Sequence, residues 1–256
     1  MKKNFAWMVG LLVVVLAIGS APVALSQMEQ GPTVYTFVSQ FQIPRAGWAQ
    51  YSEDTEKSFV PVADKLMADG TIVGYATFEN LVHTPEGYTH GASWSSTSIA
   101  GLTKVLDEIR KSGPRPGQIA ATKHEDLLMS SNMQHAATVS GGSGYLRVVC
   151  SMAKADNPEG YAATLKKYLG STFDEQFKKG VATSYGLDSQ YVNTGAPSER
   201  CLVITYPNAE SMDKWASAIN ATLGKMNAAD RAEFNGATVA DSRRDLLMRI
   251  THYAHK

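Results

Sequence analysis

The sequence predicts an α+β fold made of two consecutive units that share one order of elements, β-α-β-β-α-β. The chain matches itself without gaps when it is shifted by 110 residues, so that Tyr35 meets Tyr145 and Tyr75 meets Tyr185. In each half, segments with a two-residue apolar period alternate with segments of helical period. A hydrophobic fraction of 44% over 256 residues is enough to build two small cores.

The repeat continues to the end of the chain with one insertion. Asp126 to Met129 reads DLLM, and the same four letters recur from Asp245 to Met248 at a shift of 119 residues. The second copy has therefore gained nine residues before its last strand. We interpret the pattern as a tandem duplication.

The first strand and the first helix of each copy are predicted from the same kinds of sequence pattern. Alternating, β-rich residues predict strands at 33–42 and 145–152. Apolar residues at helical spacing predict helices at 48–66 and 161–177, the second capped by Asn157. Two features predict breaks inside these helices, namely Pro61 in the first and Gly170-Ser171 in the second. Gly70 and Gly180 are predicted to end them.

A hairpin, a second helix and a last strand complete each copy. Predicted strands at 71–83 and 89–95 flank the turn Thr84-Pro85-Glu86-Gly87, and strands at 181–193 and 200–206 repeat the hairpin. The second helices are predicted at 99–109 and from an Asn208 cap to Leu223, and the last strands at 125–134 and 245–253. This order with right-handed crossovers gives an antiparallel sheet with both helices on one face, which is the ferredoxin-like arrangement.

The domain organisation follows from the elements. We assign residues 33–136 to the first ferredoxin-like unit, 140–144 to a flexible Gly-Ser linker and 145–256 to the second unit. Strands such as 33–42 carry apolar groups on both faces, so the sheet face without helices must be buried. We expect the two sheets to pack face to face, with the helices outside.

Two ferredoxin-like units in one chain, with Trp94 in a third strand, resemble the dimeric α+β barrel superfamily. That superfamily includes antibiotic-biosynthesis monooxygenases and chlorite dismutases. The resemblance covers nearly all of residues 33–253 and rests on element order. It implies a small-molecule site and either cofactor-free oxygenation or haem chemistry.

A polar and aromatic cluster is predicted in the first copy alone. Its members lie on one hairpin and form the candidate ligand-binding set: Tyr75, His83, Tyr88, His90 and Trp94. Small residues at 91–93 would leave space beside them. In a cofactor-free oxygenase, Trp94 and Tyr75 would position an aromatic substrate and a histidine would act as base. Trp and Tyr on strands are also ordinary core residues, and the His-bearing turn is also a plausible solvated loop tip.

The function that we expect is binding of a small apolar or aromatic ligand, extending to cofactor-free oxygenase-like chemistry. One alternative is a non-catalytic interaction or structural protein. Another is a metal enzyme using His83, Glu86 and His90, or a haem enzyme, although no histidine lies on a predicted helix to act as axial ligand. The sequence predicts no cofactor, no metal and, at a net charge near zero, no nucleic-acid partner.

The N-terminal sequence predicts export to the periplasm or secretion into the medium. Lys2 and Lys3 precede an apolar stretch at 5–19, and Ala24-Leu25-Ser26 suits a signal peptidase that reads small residues. Residues 1–26 are therefore expected to be a signal peptide, with no membrane association after cleavage. The alternative is an uncleaved anchor, which the short apolar stretch and Pro22 disfavour.

Cys150 and Cys201 are the chain's two cysteines and form a candidate disulfide. The first lies late in the first strand of copy two, and the second lies early in the third strand. In the ferredoxin-like order these strands are antiparallel neighbours, at a spacing that a disulfide accepts. Two separately buried thiols are the alternative, because a slip of one residue would place the sulfurs on opposite faces.

We predict that the mature chain begins near Gln27, because the apolar stretch and the small residues before it form a cleavage site. N-terminal sequencing of the protein from its native envelope fraction would check this. An intact Met1 end recovered from the membrane would contradict it.

Overall fold

The computed structural model describes residues 33–113 and 115–256, so the predicted signal peptide lies outside the described residues. Eight antiparallel strands form a closed barrel in the order β1-β3-β2-β8-β5-β7-β6-β4. The strands are β1 Val34–Gln42, β2 Gly74–Asn80, β3 His90–Ser96, β4 Lys123–Ala136, β5 Val139–Met152, β6 Ser184–Gln190, β7 Glu199–Tyr206 and β8 Arg244–His255.

Helices connect the strands. They are α1 Trp48–Ser58, α2 Val60–Ala68, α3 Ile99–Lys111, α4 Pro116–Ile119, α5 Gly160–Lys178, α6 Ala209–Gly224 and α7 Ala228–Gly236. The nine-residue helix α7 lies in the connection where the second half of the sequence is longer than the first. None of the helices in the described residues is long and apolar enough to cross a membrane.

The two halves join at their edges, a pairing that the expected face-to-face packing of two sheets did not include. The first half contributes β4-β1-β3-β2 and the second contributes β8-β5-β7-β6. Edge strand β2 pairs with β8, and edge strand β4 pairs with β6. Backbone N–H and C=O groups that would be unpaired at four edges are thereby hydrogen-bonded. The mixed α+β class is confirmed, while the origin of the two halves by duplication stays a prediction.

Local signals in the sequence explain most helix ends. The predicted break at Pro61 is confirmed, since α1 ends at Ser58 and Pro61 lies in the first turn of α2. Gly70 and Gly180 have φ values of +79° and +69°, so both predicted glycine stops are confirmed. The Asn208 cap is also confirmed, because its side chain accepts a hydrogen bond from the Ser211 N–H at 2.9 Å.

Two predictions about the second copy's first helix are wrong. Helix α5 continues unbroken through Gly170 and Ser171, because nothing within the helix removes a backbone donor as Pro61 does. Its N-cap is Glu159 rather than Asn157, whose carbonyl instead accepts the Gly160 N–H in a turn at 3.0 Å.

Residues 140–144 are not a flexible linker but belong to strand β5. Gly142 pairs with Tyr253 and Gly144 pairs with Ile250 on β8. A Cβ atom at Gly144 would lie 2.2 Å from the carbonyl oxygen of Tyr206, so the close approach of two backbones requires glycine there. The glycines serve strand packing, and the compositional signal for a linker was misleading.

Apolar residues occupy both faces of the barrel wall. On the outside, helices cover two clusters, one with Phe59, Trp94 and Leu102 and one with Phe173 and Trp215. Inside the barrel, Phe78, Leu146, Met248 and Ile250 form a third cluster. Strand alternation produces this division, since Trp94 on β3 points to the helices and its neighbour Ser93 points into the barrel.

Cys150 and Cys201 lie directly opposite each other on β5 and β7 and are joined by a disulfide, with their Cα atoms 4.0 Å apart. Both side chains face the barrel interior, where they pack with Met129, Val148 and Val203. The disulfide closes a loop between residues 51 positions apart.

We predict that the Cys150→Ala/Cys201→Ala protein loses about 3–4 kcal/mol of unfolding free energy, because the unfolded chain is no longer constrained by the loop closure. Urea unfolding of oxidised wild type and variant would measure the difference. Reductant should lower the stability of the wild type alone. Two free thiols in oxidised, denatured wild type would contradict the pairing.

Candidate functional site

A cavity of about 550 Å³ lies on the outside of the barrel in the first half of the chain, and we call it the outer cavity. Its walls come from helices α1, α3 and α4 and from the outer face of strands β1, β3 and β4. This volume is typical of small-molecule sites. Trp94 of the predicted ligand-binding set lines the cavity.

Aromatic side chains form the apolar part of the outer cavity. Trp94 is buried and its indole N–H donates to the Leu102 carbonyl at 3.2 Å. Phe59 packs against Trp94 with ring centroids 5.8 Å apart, and Phe41 packs against Tyr51 at 5.6 Å. These rings are held in place by their neighbours, so the wall is rigid before any ligand binds.

Arg115 contributes a buried positive charge to the same cavity. Its side chain is 8% exposed, and its Nε atom has no hydrogen-bond partner among the described residues. Burial lowers the pKa of the guanidinium, while Tyr51 and Asp54 oppose that shift through space. A buried charge without a direct partner is costly, and a bound anion would remove that cost.

The position of Arg115 depends on close packing between α4 and α1. Gly117 follows Arg115 by two residues, and its N–H donates to the Asp54 carboxylate at 2.7 Å. A Cβ atom at Gly117 would lie 2.6 Å from the Cα of Tyr51, so only glycine allows this approach. Packing of Gly117 against α1 therefore fixes the backbone next to Arg115.

A histidine and an aspartate lie at the solvent-facing edge of the outer cavity. The Nε2 atom of His124 is 2.9 Å from an oxygen of Asp126 and 3.0 Å from the hydroxyl of Ser39. His124 is also stacked on Phe41, directly opposite it in the sheet, with ring centroids 4.3 Å apart. When Nε2–H donates to Asp126, the Nδ1 atom is the basic nitrogen of the ring.

The structure separates the five residues of the predicted ligand-binding set. Trp94 alone lines the outer cavity. Tyr75 is held at the helix–sheet interface, where its hydroxyl donates to Asp64 at 2.6 Å. Burial raises the pKa of Tyr75, and Asp64 raises it further. Tyr88 lies instead at the mouth of the barrel interior, under Lys123, and burial together with Glu125 raises its pKa to about 12.

His83 and His90 both contact the ring of Trp48, at centroid distances of 5.0 and 5.3 Å. His83 is exposed, whereas His90 is buried and its Nε2 atom has no hydrogen-bond partner among the described residues. Burial lowers the pKa of His90 to about 4, with a smaller effect from His83. His90 is therefore neutral in neutral solution.

The metal alternative does not match the geometry of the described residues. In that part of the chain, the group of metal-binding side chains with donor atoms within 4.8 Å of one another is Cys150, Glu199 and Cys201, not His83, Glu86 and His90. Both sulfurs of that group are in the disulfide, so neither is a thiolate ligand.

Sequence reasoning missed Arg115, His124 and Asp126. Arg115 lies between Pro114 and Pro116 in the sequence, and this is the one local feature that could have indicated it. The segment has the composition of a turn-rich connector. Nothing local indicates that this segment folds over Tyr51. His124 and Asp126 meet Ser39 and Phe41 only through pairing of β1 with β4, which are 85 residues apart in sequence at that point.

The fold is shared with solved structures of very low sequence identity. A candidate monooxygenase of Fusobacterium nucleatum superimposes with a TM-score of 0.64 at 10% identity, over 88% of this chain and 95% of that one. A candidate monooxygenase of Lactobacillus acidophilus gives 0.58 at 13% identity, over 87% and 96%. An anthrone oxidase-like protein gives 0.52 at 8% identity, over 88% and 94%. No family model and no curated protein sequence matches the chain.

We predict that acidification destabilises the protein partly through His90. Its folded-state pKa of about 4 lies below the value of 6.5 for an ordinary histidine, so the unfolded state binds a proton that the folded state does not. The destabilisation is negligible at pH 8 and reaches about 2 kcal/mol at pH 5. Urea unfolding at both pH values should show a smaller acid effect in His90→Gln than in wild type. Equal losses in the two proteins would contradict the prediction.

Proposed function

We propose that the protein binds a small aromatic anion in the outer cavity. The observation that carries this proposal is the buried guanidinium of Arg115, which faces a cavity and forms no ion pair among the described residues. A carboxylate or phenolate would accept hydrogen bonds from it in a partly desolvated setting, where charge-assisted bonds are strongest. The rings of Trp94, Phe59 and Phe41 suit an aromatic body.

Cofactor-free oxygenation is the reaction that this site supports best. His124, held by Asp126, would remove a proton from an activated CH₂ group of the bound substrate. The resulting carbanion, stabilised by Arg115, would add O₂ to give a peroxide, and loss of water would leave a carbonyl group. The net change is CH₂ plus O₂ to C=O plus H₂O, so no external reductant is needed. The shared fold with proteins named as monooxygenase candidates and as anthrone oxidase-like is compatible with this chemistry.

We also propose that the protein works outside the cytoplasm. The predicted signal peptide at residues 1–26 supports export. The disulfide between Cys150 and Cys201 supports it independently, because such bonds persist mainly in oxidising compartments.

We predict that Arg115→Met weakens binding of 1-naphthoate by tenfold or more, equivalent to about 1.4 kcal/mol, because the anion loses its buried partner. Isothermal titration calorimetry of wild type and variant would measure this. The matched control is Arg110→Met, which removes an exposed arginine of the same cavity that already pairs with Asp107. We expect that control to change the affinity by less than about threefold.

The same variant separates a binding role from a structural one. A buried charge without an ion-pair partner stabilises a protein little, so Arg115→Met should keep or raise the unfolding free energy. Loss of stability together with unchanged naphthoate affinity would assign Arg115 to the scaffold. Absence of naphthoate binding to the wild type would favour the non-catalytic interaction protein.

A further inference from the structure

The barrel encloses a second cavity that the proposed function does not use. Its upper chamber, about 550 Å³, lies under the β2–β3 and β6–β7 loops, and its lower chamber, about 100 Å³, lies toward the other end of the barrel. Thr36, Ser93, Leu146, Asp188 and Val203 line both chambers. Asp188 therefore stands at the junction and faces both spaces.

The two chambers differ in chemistry. Apolar side chains dominate the wall of the upper chamber, among them Val38, Phe78, Leu127, Met129, Val148 and Met248. Polar groups surround the lower chamber, and three of their atoms are buried without a hydrogen-bond partner among the described residues. These atoms are Oε1 of Gln134, the hydroxyl of Tyr253 and Nδ1 of His255. A ligand that filled both chambers would be apolar at one end and polar at the other.

The polar atoms of the lower chamber are suited to accept hydrogen bonds. Gln134 presents an amide oxygen, and the Tyr253 hydroxyl can accept as well as donate. Burial lowers the pKa of His255, so its ring is neutral and can accept at one nitrogen. Asp188 adds a carboxylate with no salt-bridge partner among the described residues. This set of acceptors matches the three N–H donors of a primary ammonium group.

Charges at the mouth of the upper chamber are balanced. The acidic groups that line the upper chamber besides Asp188 are Glu86, Glu125, Glu199 and Asp245, against Lys123 and Arg244. Glu199 pairs with Arg244, and Asp245 pairs with Arg147 and Arg243. Glu86 and Glu125 are in no described salt bridge, but the four acids are matched in number by Lys123, Arg147, Arg243 and Arg244. The preference for a cation therefore rests on Asp188, below the mouth.

We propose that the barrel interior binds a primary amine with an apolar body, whose ammonium group lies at Asp188 above the lower chamber. The apolar body occupies the upper chamber, against Phe78 and Met248. Gln134, Tyr253 and His255 accept hydrogen bonds from the ammonium group directly or through water. The site is separate from the outer cavity, with the barrel wall between them, and has the opposite preference for ligand charge.

The proposal predicts a pH dependence of binding. Burial raises the pKa of Asp188 to about 7, with Ser131 opposing the shift, so the carboxyl becomes neutral in mild acid. An ammonium ligand remains charged there and loses its partner, so affinity should fall by up to about a hundredfold between pH 8 and pH 5. The other titratable groups that face these chambers are Glu86, Tyr88, Lys123, Glu125, Glu199, Arg244 and Asp245 above, and Tyr253 and His255 below. Tyr75 and Tyr185 also line the lower chamber, but their hydroxyls donate to Asp64 and Asp174 on the helices outside the barrel.

Three probes of nearly equal shape test the proposal: 1-naphthylmethylamine, 1-methylnaphthalene and 1-naphthoate. Fluorescence titration of the wild type should show that the amine binds tightest in the barrel and that its affinity rises from pH 5 to pH 8. Asp188→Asn should weaken amine binding by tenfold or more at pH 8 and remove most of the pH dependence. Arg115→Met should leave amine binding unchanged while it weakens binding of the naphthoate.

The outcomes distinguish the two cavities. Amine binding that depends on Arg115 and not on Asp188 would overturn the proposal. Absence of amine binding to the wild type would also overturn it and would indicate that water alone occupies the lower chamber. The wild-type comparison of the amine and 1-methylnaphthalene needs no variant, so it decides the matter even if Asp188→Asn does not fold. Equal affinity for these two probes at all pH values would also overturn the proposal.

Discussion

Closure of the barrel is the constraint on which the other features depend. Pairing of β2 with β8 and of β4 with β6 hydrogen-bonds the edges of both four-stranded sheets. Closure also separates the space inside the barrel from the space outside it. Because side chains alternate along a strand, each points to one side of the wall or to the other. Ser93 and Trp94 are neighbours in the chain, yet they line different cavities. Two cavities, one on each side of the barrel wall, follow directly from this geometry.

Local chemistry accounts for the part of the fold that could be predicted. Pro61 lacks a backbone donor, and Gly70 tolerates a positive φ, so each acts within a few residues of its own position. The strands of both halves were likewise recognisable from their periods. Edge pairing could not be predicted in this way. An isolated β-α-β-β-α-β unit can bury an apolar face either by stacking on a second unit or by joining its edges to one. The prediction of a linker at 140–144 is wrong for a related reason. Gly144 lies against the backbone of Tyr206, which is far away in sequence.

The site was less predictable than the fold. Trp94 was predicted as a ligand-binding residue and lines the outer cavity, but the polar groups around it come from the α4 segment and from β4 rather than from its own hairpin. Arg115 is brought there by the contact of Gly117 with Tyr51, and His124 by strand pairing across the sheet. His83 and His90 were predicted as ligand-binding residues, but both pack around Trp48. Residues that a hairpin brings together are visible in a sequence, whereas residues gathered from three distant segments are not.

The place of the last strand has a consequence for synthesis of the protein. Strand β8, Arg244–His255, lies between β2 and β5 and follows the other seven described strands in sequence. A ribosome releases residues in order, so those seven strands have one gap between them until β8 has been synthesised. During that interval β2 and β5 each present an open edge, which is the state most vulnerable to mispairing between nascent chains. A premature stop codon before β8 would make that temporary state permanent.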